Sequence, residues 1–302
     1  MGRIAFIFAG QGDQFPGMGQ DLANTYPIAS AVFARLDAIR PGTSAQCFSG
    51  TAEELKITKN TQPCLFAYEL AAASVLKEHG IVPECTAGFS LGEVAAVTFA
   101  GMVDEGTGFN LVCRRGELMQ QAAEAADTAM AAVVKLTDEK VEEICSGFTH
   151  MYPVNYNCPG QVSVAGAAEE MDAFAAAVKA AGGRALPLKV NGAFHSPYMV
   201  SASESFEKVL ESVDFAAPAI PVYSDVTAEP YGENITELLA KQIASPVRFA
   251  KIVQNMIDAG IDTFIEIGPG KTISGLVGRI SSDVKVYTTA DMNKILAEAA
   301  VC

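Results

Sequence analysis

The sequence Gly-Phe-Ser-Leu-Gly at positions 88–92 constrains the fold of this chain more than any other segment. We interpret the residues before it as a short buried strand and the Ala-rich apolar residues 93–100 after it as a buried helix. A serine on a sharp strand-to-helix turn has strained backbone, and its hydroxyl projects beside the free N–H groups of the helix N-terminus. The segment therefore favours an α/β enzyme with Ser90 as nucleophile, although an ordinary Gly-Ser turn would also match it.

Strand-like and helical segments alternate over most of the 302 residues, and half of these residues are hydrophobic. A chain of this size and composition can bury a large core, either in one domain or in one domain with an insertion. The alternation predicts an α/β fold with a largely parallel sheet. The predicted strands are Ile4–Phe8, Cys85–Phe89, Ile220–Ser224 and Thr263–Ile267, and the predicted helices include Leu65–Glu78, Gly108–Ala123, Ser203–Val213 and Ala250–Ala259.

One segment has a different order of elements. It is predicted to contain the strand Met130–Leu136, the helix Asp138–Cys145, the strands Val154–Asn157 and Gln161–Ala165, the helix Ala168–Ala181 and the strand Arg184–Val190. This β-α-β-β-α-β order is that of ferredoxin-like domains. We therefore expect an inserted ferredoxin-like subdomain at 128–191, within a discontinuous catalytic core formed by 1–127 and 192–302.

Composition limits the partners and the compartment of this chain. A formal net charge of −14 disfavours nucleic acid and anionic membranes, because both require a basic face. No apolar run approaches the ~18 residues of a membrane helix, and the apolar N-terminal stretch is too short for a signal peptide. Seven cysteines without C-x-x-C spacing favour reduced thiols over disulfides or zinc. A cytoplasmic protein is expected.

An activated serine needs a general base, and the chain offers three histidines. His79 is predicted at a helix C-terminus, where a solvated cap is the ordinary role. His150 falls in a surface connection of the predicted insertion. His195 lies in a loop after the last predicted strand of the insertion, and loops on a rigid scaffold often carry catalytic groups. Elimination favours His195 as the base, with a purely structural histidine as the alternative.

Seven short segments occur in an order that points to one family. They are residues 8–14, 61–63, 88–93, 115–120, 155–161, 192–195 and 268–271. Together they resemble the malonyl-CoA:acyl-carrier-protein transacylase family, the acyltransferases of fatty-acid and polyketide synthesis. The resemblance runs from end to end and implies an α/β-hydrolase-like core with a parallel sheet plus an inserted ferredoxin-like subdomain.

The resemblance also implies roles for individual residues. Ser90 would be the nucleophile and His195 its base, held by a backbone carbonyl at the position that matches Arg248. The backbone N–H groups of Gln11 and Leu91 would stabilise the oxyanion.

A second set of implied residues would recognise the acyl group. Arg115 would pair with the free malonyl carboxylate, because its planar guanidinium makes two charge-assisted bonds. The adjacent Arg114 points about 100° away on a helix, so we expect it in solvent. Phe194 matches a position where a bulky aromatic residue accompanies malonyl use, with core packing as the plainer alternative. The amides expected around the pocket are Gln62, Asn155 and Asn157, with ordinary hydrogen bonding within loops as the alternative.

Phe89 departs from the family pattern, which usually has histidine between the glycine and the serine of the turn. Because the predicted base lies elsewhere, catalysis is expected to survive this change. An apolar ring at this position is expected to alter the pocket rim and the acyl preference.

The implied reaction is a ping-pong transfer of malonyl from malonyl-CoA to the phosphopantetheine thiol of acyl carrier protein, through a malonyl-serine ester. We expect a monomer that needs no metal and no bound cofactor. The alternatives are a trans-acting acyltransferase of polyketide synthesis, a thioester hydrolase with the same serine and histidine, and a degenerate docking module. Since acyl carrier proteins are acidic, docking would require a local basic patch, for which the candidates are Lys179, Arg184, Lys189, Lys271 and Arg279.

Overall fold

The structure is a computed structural model that describes residues 2–190 and 192–300, and two separate sheets organise it. Five parallel strands form the first sheet in the order β7-β2-β1-β8-β9, and four strands form the second in the order β4-β5-β3-β6. In chain order the strands are β1 (Ile4–Phe8), β2 (Cys85–Gly88), β3 (Thr128–Val134), β4 (Met151–Cys158), β5 (Gln161–Ala167), β6 (Arg184–Pro187), β7 (Val222–Tyr223), β8 (Thr263–Ile267) and β9 (Lys285–Thr288).

Fourteen α-helices accompany these strands in the described residues. They are α1 (Gln20–Thr25), α2 (Pro27–Ile39), α3 (Thr43–Ser49), α4 (Ala52–Lys56), α5 (Thr58–Glu78), α6 (Gly92–Phe99), α7 (Glu105–Glu124), α8 (Asp138–Ser146), α9 (Ala168–Ala180), α10 (Val200–Leu210), α11 (Ile235–Lys241), α12 (Phe249–Asp258), α13 (Thr272–Ile280) and α14 (Met292–Ala299). Short 3-10 turns occur at Pro197–Met199, Gln242–Ala244 and Thr289–Asp291. Within the described residues, no helix is long and apolar enough to cross a membrane.

The parallel sheet is buried on both faces, as its sequence pattern predicts. Every residue of β1 and β8 is buried, and β1 pairs in parallel with β2 on one side and β8 on the other. Parallel sheets covered by helices on both faces have nearly continuous apolar strands, as in β1, whereas β8 also buries Thr263 and Glu266. The predicted α/β fold with a parallel sheet is therefore confirmed. The strand predicted at Ile220–Ser224 is shorter, since the backbone N–H of Ser224 already donates to the carbonyl of Glu229 in a turn.

Helix α5 begins seven residues before the predicted start at Leu65. A proline inside a helix lacks one N–H donor and usually marks a boundary. Here Pro63 is accommodated inside α5 and is buried there. The earlier start matters because it places Gln62 on a regular helix that packs against α7.

The second sheet has the antiparallel order of a ferredoxin-like unit, with α8 and α9 on one face. Val133, Val162 and Val164 pack with Phe174 and Val178 on that face. All four strands fall within 128–191. The predicted strand Arg184–Val190 is shorter and ends at Pro187, although the N–H of Leu188 still donates to the carbonyl of Met130 in β3 at 2.9 Å.

Candidate active site

The turn between β2 and α6 is held in a strained conformation by close backbone packing. Ser90 has a φ of +58°, which is unusual for a residue other than glycine. A Cβ atom at Gly88 would lie 1.8 Å from the carbonyl carbon of Gly92, and one at Gly92 would lie 2.3 Å from the carbonyl oxygen of Phe8. Both glycines are therefore required by the tight approach of backbone to backbone, and the serine side chain is presented at the sheet edge.

The structure brings His195 to Ser90. Its Nε2 lies 2.7 Å from the Ser90 hydroxyl, and its Nδ1 lies 2.8 Å from the backbone carbonyl of Gln242. A carbonyl oxygen can only accept, so Nδ1 carries the proton and Nε2 is free to accept from the hydroxyl. The arrangement can remove a proton from Ser90 without a carboxylate behind the histidine.

The prediction that Arg248 would supply this carbonyl is wrong. The carbonyl oxygen of Arg248 accepts the N–H of Ile252 at 3.0 Å in the first turn of α12, and the residue is exposed. The residue that holds His195 is Gln242, in the 3-10 turn that follows α11. No motif in the sequence distinguishes Gln242 from the other polar residues of that turn.

Arg115 is a fully buried cation beside the serine hydroxyl. Its Nη1 donates to Gln62 Oε1 at 3.0 Å, and its Nη2 donates to Gln242 Oε1 at 2.6 Å and lies 3.2 Å from Ser90 Oγ. Its Nε has no hydrogen-bond partner among the described residues. Arg114 points the other way and pairs with exposed Glu117 on the surface, as expected.

Gln242 joins these groups into one network, because each part of the residue has a separate partner. Its backbone carbonyl accepts from His195, and its side-chain oxygen accepts from Arg115. Its side-chain N–H groups donate to the backbone carbonyl of Ser90 and, at 3.2 Å, to Asp225 Oδ2. The base, the buried cation and the strained turn are therefore positioned by the same residue.

Two buried acids complete the network beneath the turn. Asp225 Oδ2 accepts the backbone N–H of Ser90 at 2.7 Å, and Glu93 Oε1 accepts from the Asp225 backbone at 3.0 Å and from the Tyr231 hydroxyl at 2.5 Å. Sequence reasoning missed both acids, although a glutamate at the start of an Ala-rich helix is a detectable signal. Burial raises the pKa of Glu93 to about 7 and raises that of Asp225 well above its usual range.

The same burial sets the charge of the functional groups. Desolvation, with a further contribution from Arg115, lowers the pKa of His195 to about 4, so its imidazole is neutral at neutral pH. Desolvation also lowers the pKa of Arg115 to about 10, while Glu93 and Asp225 oppose that shift. At neutral pH the site thus combines a neutral base with a positive guanidinium.

A cavity of about 90 Å³ opens above Ser90 and His195, and a groove of about 340 Å³ adjoins it. Besides Ser90 and His195, the predicted site residues in the cavity wall are Gln11, Gln62, Phe89, Leu91, Asn155 and Phe194. Asn157 lines the groove, where its amide donates to Ser163 Oγ at 3.0 Å.

Leu91 is the N-cap of α6. That the backbone N–H groups of Leu91 and Gln11 stabilise the oxyanion stays a prediction. Phe89 packs against Phe249 and lines both spaces.

A family model described as an acyl transferase domain matches residues 5–291. The chain belongs to the acyl transferase domain family. The malonyl CoA-acyl carrier protein transacylase of Bacillus subtilis (strain 168) is 39% identical to it over 98% of this chain and 96% of that protein. The transacylase of the same name from Escherichia coli (strain K12) is 38% identical over 99% of both proteins.

Solved structures of acyl transferases have the same fold. A malonyl CoA-acyl carrier protein transacylase from Clostridium perfringens Atcc 13124 superposes with a TM-score of 0.95 at 34% identity, over 99% of this chain and 97% of that one. A malonyl-transacylase solved in complex with its type II PKS acyl-carrier protein superposes with a TM-score of 0.94 at 35% identity, over 98% of this chain and 99% of that one. The resemblance seen in the seven sequence segments is thereby confirmed.

Proposed function

We propose that this chain transfers a malonyl group from malonyl-CoA to the phosphopantetheine thiol of acyl carrier protein, through an ester on Ser90. The observation that carries the proposal is the fully buried Arg115, whose Nη2 lies 3.2 Å from the Ser90 hydroxyl. A buried cation at this position suits an acyl group that ends in a carboxylate. The names of the relatives and structural neighbours support the same substrate and carrier.

The first half of the reaction forms the ester. His195 Nε2 takes the proton of Ser90, whose oxygen attacks the thioester carbonyl. The N–H groups of Gln11 and Leu91 stabilise the tetrahedral oxyanion, and collapse of the intermediate expels the CoA thiolate, which takes the proton from His195. The phosphopantetheine thiol then enters and gives its proton to His195. Its sulfur attacks the ester carbonyl, and Ser90 regains the proton as the malonyl group departs.

Arg115 provides the selectivity for malonyl in this proposal. Gln62 and Gln242 orient the guanidinium through Nη1 and Nη2, while Nε lacks a partner within the described residues. A carboxylate at the end of a short acyl chain would bond to Nε and Nη2 together, which fixes its direction as well as its charge. Phe194 lines the same cavity, whose small volume of about 90 Å³ suits short acyl groups.

Carrier docking is proposed for the mouth of the groove. Lys189 and Leu188 line the groove and are exposed, and Arg279 bonds to Gln161 in its wall. Lys271 pairs with Asp291 nearby, whereas Lys179 lies on α9, which covers the opposite face of the second sheet. The patch that we propose for an acidic carrier is therefore centred on Lys189.

Three further properties belong to the proposal. The enzyme works as a monomer in the cytoplasm, because one chain contributes the whole catalytic network and the substrates are those of central lipid synthesis. Residues 1–127 and 192–302 form the catalytic core, and 128–191 form the inserted subdomain that walls the groove. The carrier of fatty-acid synthesis is the main partner, and a polyketide carrier is the second candidate because one structural neighbour is bound to such a carrier.

The decisive experiment follows labelled malonyl-CoA with and without carrier protein. We expect label on the holo carrier, none on an apo carrier that lacks phosphopantetheine, and slow release of free malonate. Rapid malonate release that is independent of the carrier would instead identify a thioester hydrolase. The absence of any label on the enzyme or the carrier would identify a degenerate docking module.

A further inference from the structure

Arg115 is a buried cation whose hydrogen bonds go only to neutral groups. In the described residues its guanidinium contacts the side-chain oxygens of Gln62 and Gln242 and the hydroxyl of Ser90. A buried charge that has no opposite charge near it is strongly unfavourable. The negative charge that balances Arg115 must therefore come from acids that do not touch it.

Two fully buried acids, Glu93 and Asp225, lie behind Arg115, and we call them the acid pair. One amide separates Asp225 from the guanidinium: Gln242 Oε1 accepts from Arg115 Nη2 at 2.6 Å, and Gln242 Nε2 donates to Asp225 Oδ2 at 3.2 Å. Glu93 adjoins Asp225, since its Oε1 accepts the Asp225 backbone N–H at 3.0 Å. Neither acid lines the cavity, so the pair acts on an acyl group through its charge and not by contact.

The acid pair is suited to hold one proton. Glu93 Oε2 and Asp225 Oδ1 are buried and have no hydrogen-bond partner among the described residues, so either oxygen can carry a proton without losing a contact. Burial raises the pKa of Glu93 to about 7, although the Tyr231 hydroxyl and Arg115 oppose this shift. Burial and the charge of Glu93 raise the pKa of Asp225 well above its usual range. With one proton on the pair, one negative charge balances Arg115.

The other titratable groups around α6 leave this balance unchanged near neutral pH. Tyr231 donates its hydroxyl to Glu93 Oε1 at 2.5 Å, and burial raises the pKa of Tyr231 well above its usual range. On β2, burial raises the pKa of Cys85 to about 12. On α5, burial raises the pKa of Glu69 well above its usual range, and its charged neighbour is Glu266 of β8. Helix α7 directs Arg115 inward and its other charged residues toward the surface.

We propose that the acid pair sets the malonyl selectivity of the site by holding one proton. With that proton in place, a single negative charge lies behind Arg115, and the guanidinium can bind the malonyl carboxylate. Loss of the proton places a second negative charge there, which repels that carboxylate. The inference rests on the proposed function, because it concerns a malonyl group at Arg115.

The direction of the pH effect follows from the charges. The pair carries two negative charges only above its highest pKa, so malonyl selectivity is full below about pH 7 and falls as the pH rises. An acetyl group is uncharged, so its transfer reports the other effects of pH. The ratio of malonyl to acetyl transfer also cancels the titration of the CoA phosphates, which both substrates share.

The test measures this ratio from about pH 6 to about pH 9, below the pKa of about 10 of Arg115. Initial rates of Ser90 acylation by malonyl-CoA and by acetyl-CoA are followed by rapid quenching and intact mass measurement. Glu93→Gln removes one acid and keeps the side-chain oxygen that accepts from Asp225 and Tyr231. Glu69→Gln is the matched control, because it makes the same change at a fully buried acid that faces Glu266.

We expect the wild-type ratio to fall about tenfold over this range. Glu93→Gln should make the ratio independent of pH, because one carboxylate remains throughout, whereas Glu69→Gln should keep the fall. Tyr231→Phe removes a hydrogen bond that stabilises the Glu93 carboxylate, so it should move the fall to higher pH.

Three results would overturn the inference: a wild-type ratio that is independent of pH, a fall that persists in Glu93→Gln, or a fall that stays in place in Tyr231→Phe. The first of these needs no variant to fold. If neither malonyl-CoA nor acetyl-CoA acylates wild-type Ser90 at any pH, the proposed function itself fails.

Discussion

The turn that carries Ser90 and the wall that carries Asn155 face the same cavity but are built in opposite ways. The side chains of four residues form hydrogen bonds with Ser90, namely those of His195, Arg115, Gln242 and Asp225. Across the cavity, Asn155 Oδ1 has no partner within the described chain, and Leu188 and Lys189 are exposed at the groove mouth. The Ser90 side of the site is held by several internal hydrogen bonds, whereas the groove side is more exposed.

This difference separates the chemistry from recognition of the carrier. Groups that act on the reacting atoms benefit from being fixed before the substrate arrives, since no reorganisation is then needed during the reaction. Groups that hold a pantetheine arm must release one partner and accept another in every cycle. Substitutions on the Ser90 side should therefore affect catalysis strongly, and substitutions on the groove side should affect partner affinity more mildly.

The largest effect is expected for Ser90→Ala. Loss of the nucleophile removes the covalent route, so transfer from malonyl-CoA to holo carrier should fall by about 10⁴-fold or more. Mass spectrometry of the wild type after mixing with malonyl-CoA should locate the malonyl adduct on the peptide that contains Ser90. Persistence of that adduct in Ser90→Ala would show that the acyl group is carried elsewhere.

Arg115→Ala should reduce malonyl transfer about 30- to 1000-fold in kcat/KM, because a charge-assisted bidentate contact inside a cavity is lost. Acetyl transfer should change much less, since acetyl has no carboxylate. Arg114→Ala is the matched control: it removes a neighbouring arginine whose ion pair with Glu117 is exposed. An equal loss for malonyl and acetyl would assign Arg115 a structural role.

These two residues also show how far the sequence leads. Ser90, His195 and Arg115 were identifiable because each stands in a short motif, and the structure brings all three within hydrogen-bonding distance. Most of the fold was equally accessible, because buried parallel strands and the β-α-β-β-α-β order leave clear hydrophobic patterns.

The supporting groups were not accessible in the same way. Gln242 acts on His195 through a backbone carbonyl, which any residue type could provide, so the matching position was wrongly placed at Arg248. Asp225 reaches Ser90 from 135 positions away along the chain, and only the folded topology joins them. Residues that act through the main chain or over such sequence distances leave little local signal in a single sequence.

The pH dependence tests whether burial on the Ser90 side of the site keeps the His195 imidazole neutral. Burial and Arg115 lower the pKa of His195 to about 4, and only the neutral imidazole can accept the serine proton. We expect kcat/KM for acylation to stay flat from neutral pH down to about pH 5 and to fall below about pH 4. A histidine with the ordinary value of about 6.5 would already have lost about 30-fold at pH 5.

Arg115→Ala should move this acid limb to higher pH, measured with acetyl-CoA, because the removed charge no longer opposes protonation of His195. Circular dichroism at each pH separates loss of activity from unfolding. A wild-type limb near the ordinary histidine value of about 6.5 would contradict a lowered pKa of His195.

On the open side, Lys189→Glu should raise the KM for carrier protein about 3- to 10-fold, since it reverses an exposed charge at the groove mouth. Acylation by the malonyl thioester of N-acetylcysteamine, which carries no phosphate, should be unaffected. Lys179→Glu makes the same charge change on α9, behind the second sheet, and should leave the KM for carrier unchanged.

If the two variants behave identically, the Lys189 patch does not bind the carrier, and docking depends on apolar contacts. Added salt should weaken docking in the wild type if the patch dominates.

The smallest effect is expected where the two sides meet, at Phe89. Its ring packs against Phe249 with the centroids 5.4 Å apart and lines both the cavity and the groove. Phe89→His restores the residue usual in the family and should shift the preference among malonyl, methylmalonyl and acetyl thioesters by about threefold, because only the rim contact changes.

The fall of kcat/KM at low pH should stay where the pKa of His195 sets it, since position 89 takes no part in the proton transfers. A preference that stays the same for all three thioesters would make Phe89 a neutral packing residue. A displaced acid limb would place position 89 in the electrostatic network of the Ser90 turn instead of at the boundary between catalysis and recognition.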